Sequence, residues 1–287
     1  MNDNMKGKTC VITGATSGIG REVATQLAAQ GARIMGVGRS SARCAEACTA
    51  IVSASGNREV SFLVADLGRM SDIRGLAAGI ARHAPRIDVL INNAGTFTFT
   101  RKLTSDGLET QLAVNWLSAF MLTGLLLPLL KEAPGARVIS VSSGSHFSGK
   151  MHWNDPGLRH GYQGLKAYDQ SKLALVLFTY ELARRLGDTS AIACHAVDPG
   201  LVKTDIGLKG NSSVVKLIWK LRTRNGIGPS EAAESIAYLA SDASVGGKTA
   251  KYWKECKELE SSKASHDTVG AKRLWELGKM LSGVTYP

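Results

Sequence analysis

The chain has 287 residues, 44% of them hydrophobic and 21% charged, and its 35 Lys and Arg against 24 Asp and Glu give a formal net charge of +11 at pH 7. That composition is ample for one large α/β domain with a sizeable core, and it excludes a disordered polyampholyte. No uninterrupted apolar run reaches the ~18–20 residues that cross a bilayer, and the scattered basic residues form no stripe of the kind that tracks nucleic acid.

The polar opening MNDNMKGK is expected to be neither a secretory signal nor an anchor. KTCVITG (8–14) then reads as a strand and GIGREVATQLAAQG (18–31) as a helix. The alternation continues: strand 32–38, helix 41–54, strand 59–66, helix 71–83, strand 87–95. A long helical region is predicted over about 103–131, with its most apolar stretch LSAFMLTGLLLPLL at 117–130, followed by a strand at 136–143. A helix around Tyr168 runs to about Leu186, and a strand ends at AIACHAVDPG (191–200). Pro229 and Ser230 start a helix over 229–241, and a short strand near 248–253 and a helix over about 267–281 follow. Repeated βα units with near-continuous apolar strands imply an α/β fold: a Rossmann-type, doubly wound parallel sheet with helices on both faces, as a single domain.

Three local patterns carry chemistry. The first strand is followed by TGATSGIG, where Gly14, Gly18 and Gly20 permit a sharp turn and let a helix N-terminus meet a pyrophosphate. The spacing is GxxxGxG rather than GxGxxG, and no phosphate-loop lysine follows. The second strand ends in GVGRS, placing Arg39 where an acidic residue would choose NAD and an arginine the 2′-phosphate of NADP. NADP(H) is therefore expected in preference to NAD. In AYDQSKLAL, Tyr168 and Lys172 are four residues apart on one helix. At that spacing an ammonium favours the phenolate form of its neighbour, which makes a tyrosine a usable proton donor and acceptor. The five cysteines, Cys10, Cys44, Cys48, Cys194 and Cys256, show no zinc-type pair. Reduced thiols in a cytoplasmic protein with no metal site are expected.

Taken in order, these motifs resemble the short-chain dehydrogenase/reductase family over about residues 7–245. The resemblance rests on TGATSGIG, ADL (65–67), NNAG (92–95), the Asn115 of LAVNWLSAF, VSS (141–143), YDQSK and DPGLVKTDI. Within the family, SKLALVLFTYELARRL (171–186), KYWKECKE (251–258) and AKRLWELGKML (271–281) resemble the retinol dehydrogenase and WW-domain-oxidoreductase branch. The resemblance implies cofactor contacts from Gly14, Thr16, Ser17, Gly18, Ile19, Gly20, Arg39, Asp66, Leu67, Asn93, Ala94 and Gly95. It implies further contacts from Tyr168, Lys172, Pro199, Gly200, Val202 and Thr204. It makes Asn115, Ser143, Tyr168 and Lys172 the catalytic set. Tyr168 exchanges the proton, Lys172 lowers its pKa and binds the nicotinamide ribose, Ser143 holds the substrate oxygen, and Asn115 orients Lys172 through a water relay.

Two segments frame the expected pocket. Residues 144–166 form a long interval rich in His and aromatic residues, read as a substrate-facing flap with His146 as a substrate contact or, alternatively, as a packed excursion. Residues 205–228 interleave Trp219 and aliphatic residues with Lys216, Lys220, Arg222 and Arg224. They are read as a substrate lid in which Trp219 meets an apolar substrate, and they are compatible with weak contact with an anionic membrane. Residues of about 246–287 form a C-terminal extension. The expected function is an NADP(H)-dependent carbonyl reductase or alcohol dehydrogenase for an apolar aldehyde, ketone, steroid or retinoid-like compound. The alternative is a non-catalytic, cofactor-sensing interaction protein on the same fold. Pairing into a homo-oligomer is left open.

Overall fold

The first apolar run becomes β1 (Thr9–Thr13), buried at every position, as a strand covered on both faces must be. The computed structural model describes residues 4–187, 190–202 and 226–286. The chain continues through α1 (Gly18–Ala29), β2 (Arg33–Gly38), α2 (Ser41–Ser55), β3 (Val60–Val64), α3 (Met70–His83) and β4 (Val89–Asn92). Then come α4 (Thr110–Lys131), β5 (Arg137–Val141), α5 (Gly164–Leu186), β6 (Ala193–Asp198) and α6 (Pro229–Ser241). The strands β7 (Lys251–Lys254) and β8 (Lys257–Leu259) and the helix α7 (Thr268–Ser282) follow.

The sheet order is β3-β2-β1-β4-β5-β6-β7-β8. Strands β1 to β7 pair in parallel, and β8 adds an antiparallel edge on β7. The chain reverses its direction of travel across the sheet between β1 and β4. That switch point opens a crevice at the carboxyl ends of these strands, where doubly wound sheets receive ligands. On one face, α1, α2 and α6 bury Val23, Leu27, Ile51, Ile236 and Leu239. On the other, α3, α4, α5 and α7 bury Ile80, Trp116, Phe120, Phe178 and Trp275.

The long fourth helix departs from its sequence pattern. It begins at Thr110, because residues 103–109 fold back on themselves in a Leu103–Glu109 bridge around Gly107 at φ +76°. The Glu109 carboxylate accepts the backbone N–H of Gln111 and Leu112 and caps the helix. Ala113–Leu117 is wound as a π-turn. Thr110–Lys131 is long and apolar enough to cross a membrane by length and composition, but 78% of its apolar window is buried inside the fold. It is the core helix between the sheet and α7.

The last helix lies against α4 and α5. Trp275 sits 5.2 Å from Phe120 and 6.1 Å from Phe178, ring centre to ring centre, and Tyr286 packs 4.4 Å from Trp275. The Tyr286 hydroxyl donates to the Phe120 carbonyl. Small residues make room: a Cβ at Gly278 would lie 3.0 Å from the Phe120 ring, and one at Gly124 would lie 2.7 Å from Tyr286.

Candidate active site

The crevice at the switch point is a cleft of about 810 Å³. The turn after β1 forms one wall. Gly14 and Gly18 sit at φ +69° and +56°, backbone that residues with a Cβ rarely adopt. A Cβ at Gly20 would fall 2.4 Å from Asn93 Nδ2 and 2.5 Å from the Gly14 carbonyl oxygen. The turn therefore closes down to backbone, with the N-terminus of α1 facing the cleft. Such a cradle accepts a dinucleotide pyrophosphate.

Asn93 holds the turn to β4: its Nδ2 donates to the Thr13 carbonyl at 2.8 Å, and its N–H donates to Thr13 Oγ1. Its neighbour Asn92 donates to Thr123 Oγ1 and ties β4 to α4. The expected cofactor residues Gly14, Thr16, Ser17, Gly18, Ile19, Gly20, Arg39, Asp66, Leu67, Asn93, Ala94, Gly95, Pro199, Gly200 and Val202 all border this cleft. The Asp66 carboxylate accepts the Gly68 N–H and is held at the end of β3. Thr204 and Trp219 lie outside the described residues, as does most of the 205–228 segment. The cleft is also bordered by residues that sequence reasoning missed, among them Ser40, Arg43, Thr96, Leu165 and Leu201. Arg43 has a sequence signal: it follows Arg39 by four residues, in the first turn of α2.

Ser143, Tyr168 and Lys172 meet in the same cleft. Lys172 Nζ stands 5.6 Å from the centre of the Tyr168 ring and donates to the Val141 carbonyl at 2.9 Å. Burial pulls its pKa down to about 8, with Asp198 acting in the opposite direction. Tyr168 is braced edge-on by Phe97 at 5.6 Å. Ser143 caps the short turn Gly144–Ser148, and its Oγ accepts the Ser145 N–H at 3.2 Å. No acceptor among the described residues takes its hydroxyl proton, which can donate into the cleft.

The Asn115 side chain is engaged beside Lys172: its Oδ1 accepts the Thr96 N–H at 2.7 Å, and its Nδ2 donates to the Thr96 carbonyl and to Ser171 Oγ. It ties the π-turn of α4 to the segment after β4 and to α5 one residue before Lys172. One expectation is corrected: His146 is not a substrate contact. It is completely buried, and both ring nitrogens are engaged, by the Ser143 carbonyl and the Ser262 N–H.

The 144–166 interval is a packed excursion rather than an open flap. Tyr162 is bound to Thr98, Glu109 and Gln111, and Gln170 holds His152 and Pro156. Of this segment only Ser145 and Leu165 border the cleft.

Comparison with known proteins agrees with this geometry. The short chain dehydrogenase family model matches residues 8–213. Human retinol dehydrogenase 14 is 36% identical over 98% of this chain and 88% of its own length. Human retinol dehydrogenase 12 is 36% identical over 99% and 89%. Among solved structures, a protein from Mycobacterium Paratuberculosis superposes with a TM-score of 0.80 at 30% identity, covering 98% of this chain and 96% of that one. A Shigella flexneri short chain dehydrogenase complexed with NADP, 22% identical over 90% of this chain and 100% of that one, shares the fold with a TM-score of 0.70. A glycine-walled cleft at the switch point, a Ser, Tyr and Lys gathered in it, and this extent of likeness lead to one conclusion: the chain belongs to the short-chain dehydrogenase/reductase family of oxidoreductases, in its retinol dehydrogenase branch.

Proposed function

We propose that the protein is an NADP(H)-dependent oxidoreductase that interconverts an apolar carbonyl compound and its alcohol. The observation that carries this reading is the convergence of Ser143, Tyr168 and Lys172 on the cleft that also receives the glycine turn.

When bound, the nicotinamide supplies or takes up the hydride. The chain's own work is positional and electrostatic. Ser143 donates its hydroxyl proton to the substrate oxygen and holds it beside Tyr168. The Tyr168 hydroxyl gives that oxygen a proton in the reductive direction and takes it back in the oxidative one. The Lys172 ammonium favours the phenolate and offers its remaining protons to ribose hydroxyls. Asn115, acting through Ser171, sets the turn of α5 that carries Lys172. Arg39 and Arg43, at the N-terminal end of α2, support NADP(H) over NAD, because two guanidinium groups there answer a 2′-phosphate.

Leu165 and Leu201, exposed apolar side chains that line the cleft, support an apolar substrate, as does the name of the retinol dehydrogenases it resembles. The segment 205–228, with Trp219, is assigned to cover that substrate, and Trp219→Ala then raises KM. The test of the whole reading is NADPH consumption with retinal, aliphatic aldehydes, diketones and steroid ketones, with Tyr168→Phe as control. Turnover that survives in Tyr168→Phe overturns the mechanism. Tight NADPH binding with no turnover across the panel favours a non-catalytic, cofactor-sensing protein.

A further inference from the structure

The Ser143 turn is wedged between α5 and a segment far along the chain. On the α5 side there is no slack: a Cβ at Gly149 would lie 2.6 Å from the Asp169 carbonyl oxygen and 2.7 Å from Leu173 Cβ. On the other side stands His146. Its Nε2 is 3.0 Å from the backbone nitrogen of Ser262, and its Nδ1 is 2.8 Å from the carbonyl oxygen of Ser143. A backbone N–H can only donate, so Nε2 accepts and carries no proton. A neutral imidazole then has its proton on Nδ1 and donates it to the Ser143 carbonyl. Burial holds this imidazole below its ordinary pKa, which keeps it neutral.

The ring is gripped from the same distant segment. Tyr252 of β7 packs 4.6 Å from it, with its hydroxyl 3.3 Å from Nδ1. Behind Ser262, the Ser265 hydroxyl donates to the Ser262 carbonyl at 2.6 Å, and Ser261 joins Ser265 to the Tyr180 hydroxyl of α5. None of Tyr252, Ser261, Ser262 or Ser265 borders the cleft.

We propose that His146 is a positioning residue, an imidazole bridge by which residues 252–265, outside the cleft, set the orientation of the Ser143 hydroxyl toward the substrate oxygen. This rests on the reading of Ser143 as the group that holds that oxygen. The donor chain Ser262 N–H to Nε2, then Nδ1–H to the Ser143 carbonyl, anchors the residue whose side chain must aim at substrate. Releasing either end lets the turn rotate and the hydroxyl drift.

Three variants of the full chain test it: His146→Leu, His146→Asn and Ser262→Pro. Ser262 has φ −58°, which proline adopts, so that substitution deletes the N–H donor while keeping His146. The readouts are kcat and KM on the carbonyl that turns over best in the panel, NADPH Kd, and amide hydrogen exchange across 143–149. His146→Leu and Ser262→Pro are expected to lower kcat roughly ten- to hundredfold, the scale of a misplaced catalytic group. NADPH Kd stays within about twofold, because the interaction lost is one made with the substrate oxygen. Exchange across 143–149 accelerates in both. His146→Asn, whose Nδ2 takes the place of Nδ1, recovers part of the lost kcat.

A folded His146→Leu with wild-type kcat, or Ser262→Pro with unchanged exchange at 143–149, overturns the bridge. If His146→Leu does not fold, Ser262→Pro decides alone. Turnover retained by Tyr168→Phe refutes the functional reading instead, and the exchange result still judges the bridge.

Discussion

Lys172 sends its Nζ to the Val141 carbonyl at 2.9 Å while standing 5.6 Å from the centre of the Tyr168 ring. One ammonium is thereby anchored to the end of the strand that leads to Ser143 and held beside the phenol proposed to exchange the proton. The cost is burial of a charge with no carboxylate among the described residues in salt-bridge contact, and burial is what brings its pKa down to about 8.

The first prediction concerns pH. Lys172 is charged below about 8 and loses its proton above it. The phenol then loses its electrostatic support. The kcat/KM of the free enzyme for carbonyl reduction is expected to fall as pH rises through about 8. A flat profile through that region would remove Lys172 as the supporting charge.

The same shift makes a statement about stability. In the unfolded chain Lys172 holds its proton to its ordinary value of 10.5, and in the folded one it releases it at about 8. Between those values the unfolded state binds more protons, so this group makes stability rise with pH there and lowers stability at pH 7. The charge costs on the order of 3 kcal/mol at neutral pH. Lys172→Met is therefore expected to abolish turnover while its thermal midpoint at pH 7 equals or exceeds that of the wild type. A clear drop in midpoint, read by calorimetry, contradicts it.

Cofactor choice is tested at Arg39 and Arg43. Losing a charged partner of a phosphate costs about 1.5–3 kcal/mol, roughly ten- to hundredfold in Kd. Arg39→Asp is expected to weaken NADPH by at least that much and to improve NADH. Arg43→Ala weakens NADPH alone. Fluorescence titration of both cofactors distinguishes these outcomes from an unaltered preference.

Gly20→Ala tests the cradle. Its Cβ would meet Asn93 Nδ2 at 2.4 Å and the Gly14 carbonyl at 2.5 Å, and neither can move without opening the turn. Overpacking of this kind costs about 1–3 kcal/mol. The expected result is a chain that still folds, with a lower denaturation midpoint and no measurable nucleotide binding in calorimetric titration.

These sites are legible because glycine turns, YxxxK and strand-end residues are local patterns: the turn and the strand-end residues land within a residue or two of their elements' ends, and Tyr168 and Lys172 lie one turn apart in the first half of α5. What escaped is non-local or lacks a turn signal. The β7–β8 hairpin turns on Glu255 and Cys256 at φ +49° and +57°, positions where glycine or asparagine would announce it. The π-turn at Asn115 is invisible to a 3.6-residue period. His146 looked like a pocket residue because its neighbours Phe147, His152 and Trp153 are aromatic or ionisable. Only the tertiary fold brings Tyr252 and Ser262 to its ring. The helix α4 starts seven residues later than expected: Ser105, Asp106 and Gly107 are turn formers that end the pattern there, and the Glu109 carboxylate that caps the helix reads in sequence as an ordinary surface acid.

Trp275 gives the stability prediction. It is 3% exposed and packed among Phe120, Phe178 and Tyr286, with the Arg185 guanidinium 4.4 Å from its ring centre. Trp275→Ala is expected to cost about 3–5 kcal/mol, the range for deleting a buried aromatic. The loss is measured by urea denaturation. Because the cleft lies elsewhere, NADPH affinity of the folded fraction is unchanged. A loss below about 1 kcal/mol would mean the site collapses around the gap.

The packing of Trp275 and Tyr286 on Phe120 also bears on how the chain is made. A ribosome that has completed α5 at Leu186 has produced a helical face with Phe120 and Phe178 bare. It must still synthesise everything up to Trp275 and Tyr286 before that face is shut. Throughout that interval the nascent chain displays a greasy seam on an otherwise nearly finished half, the kind of surface that chaperones hold and that neighbouring nascent chains stick to.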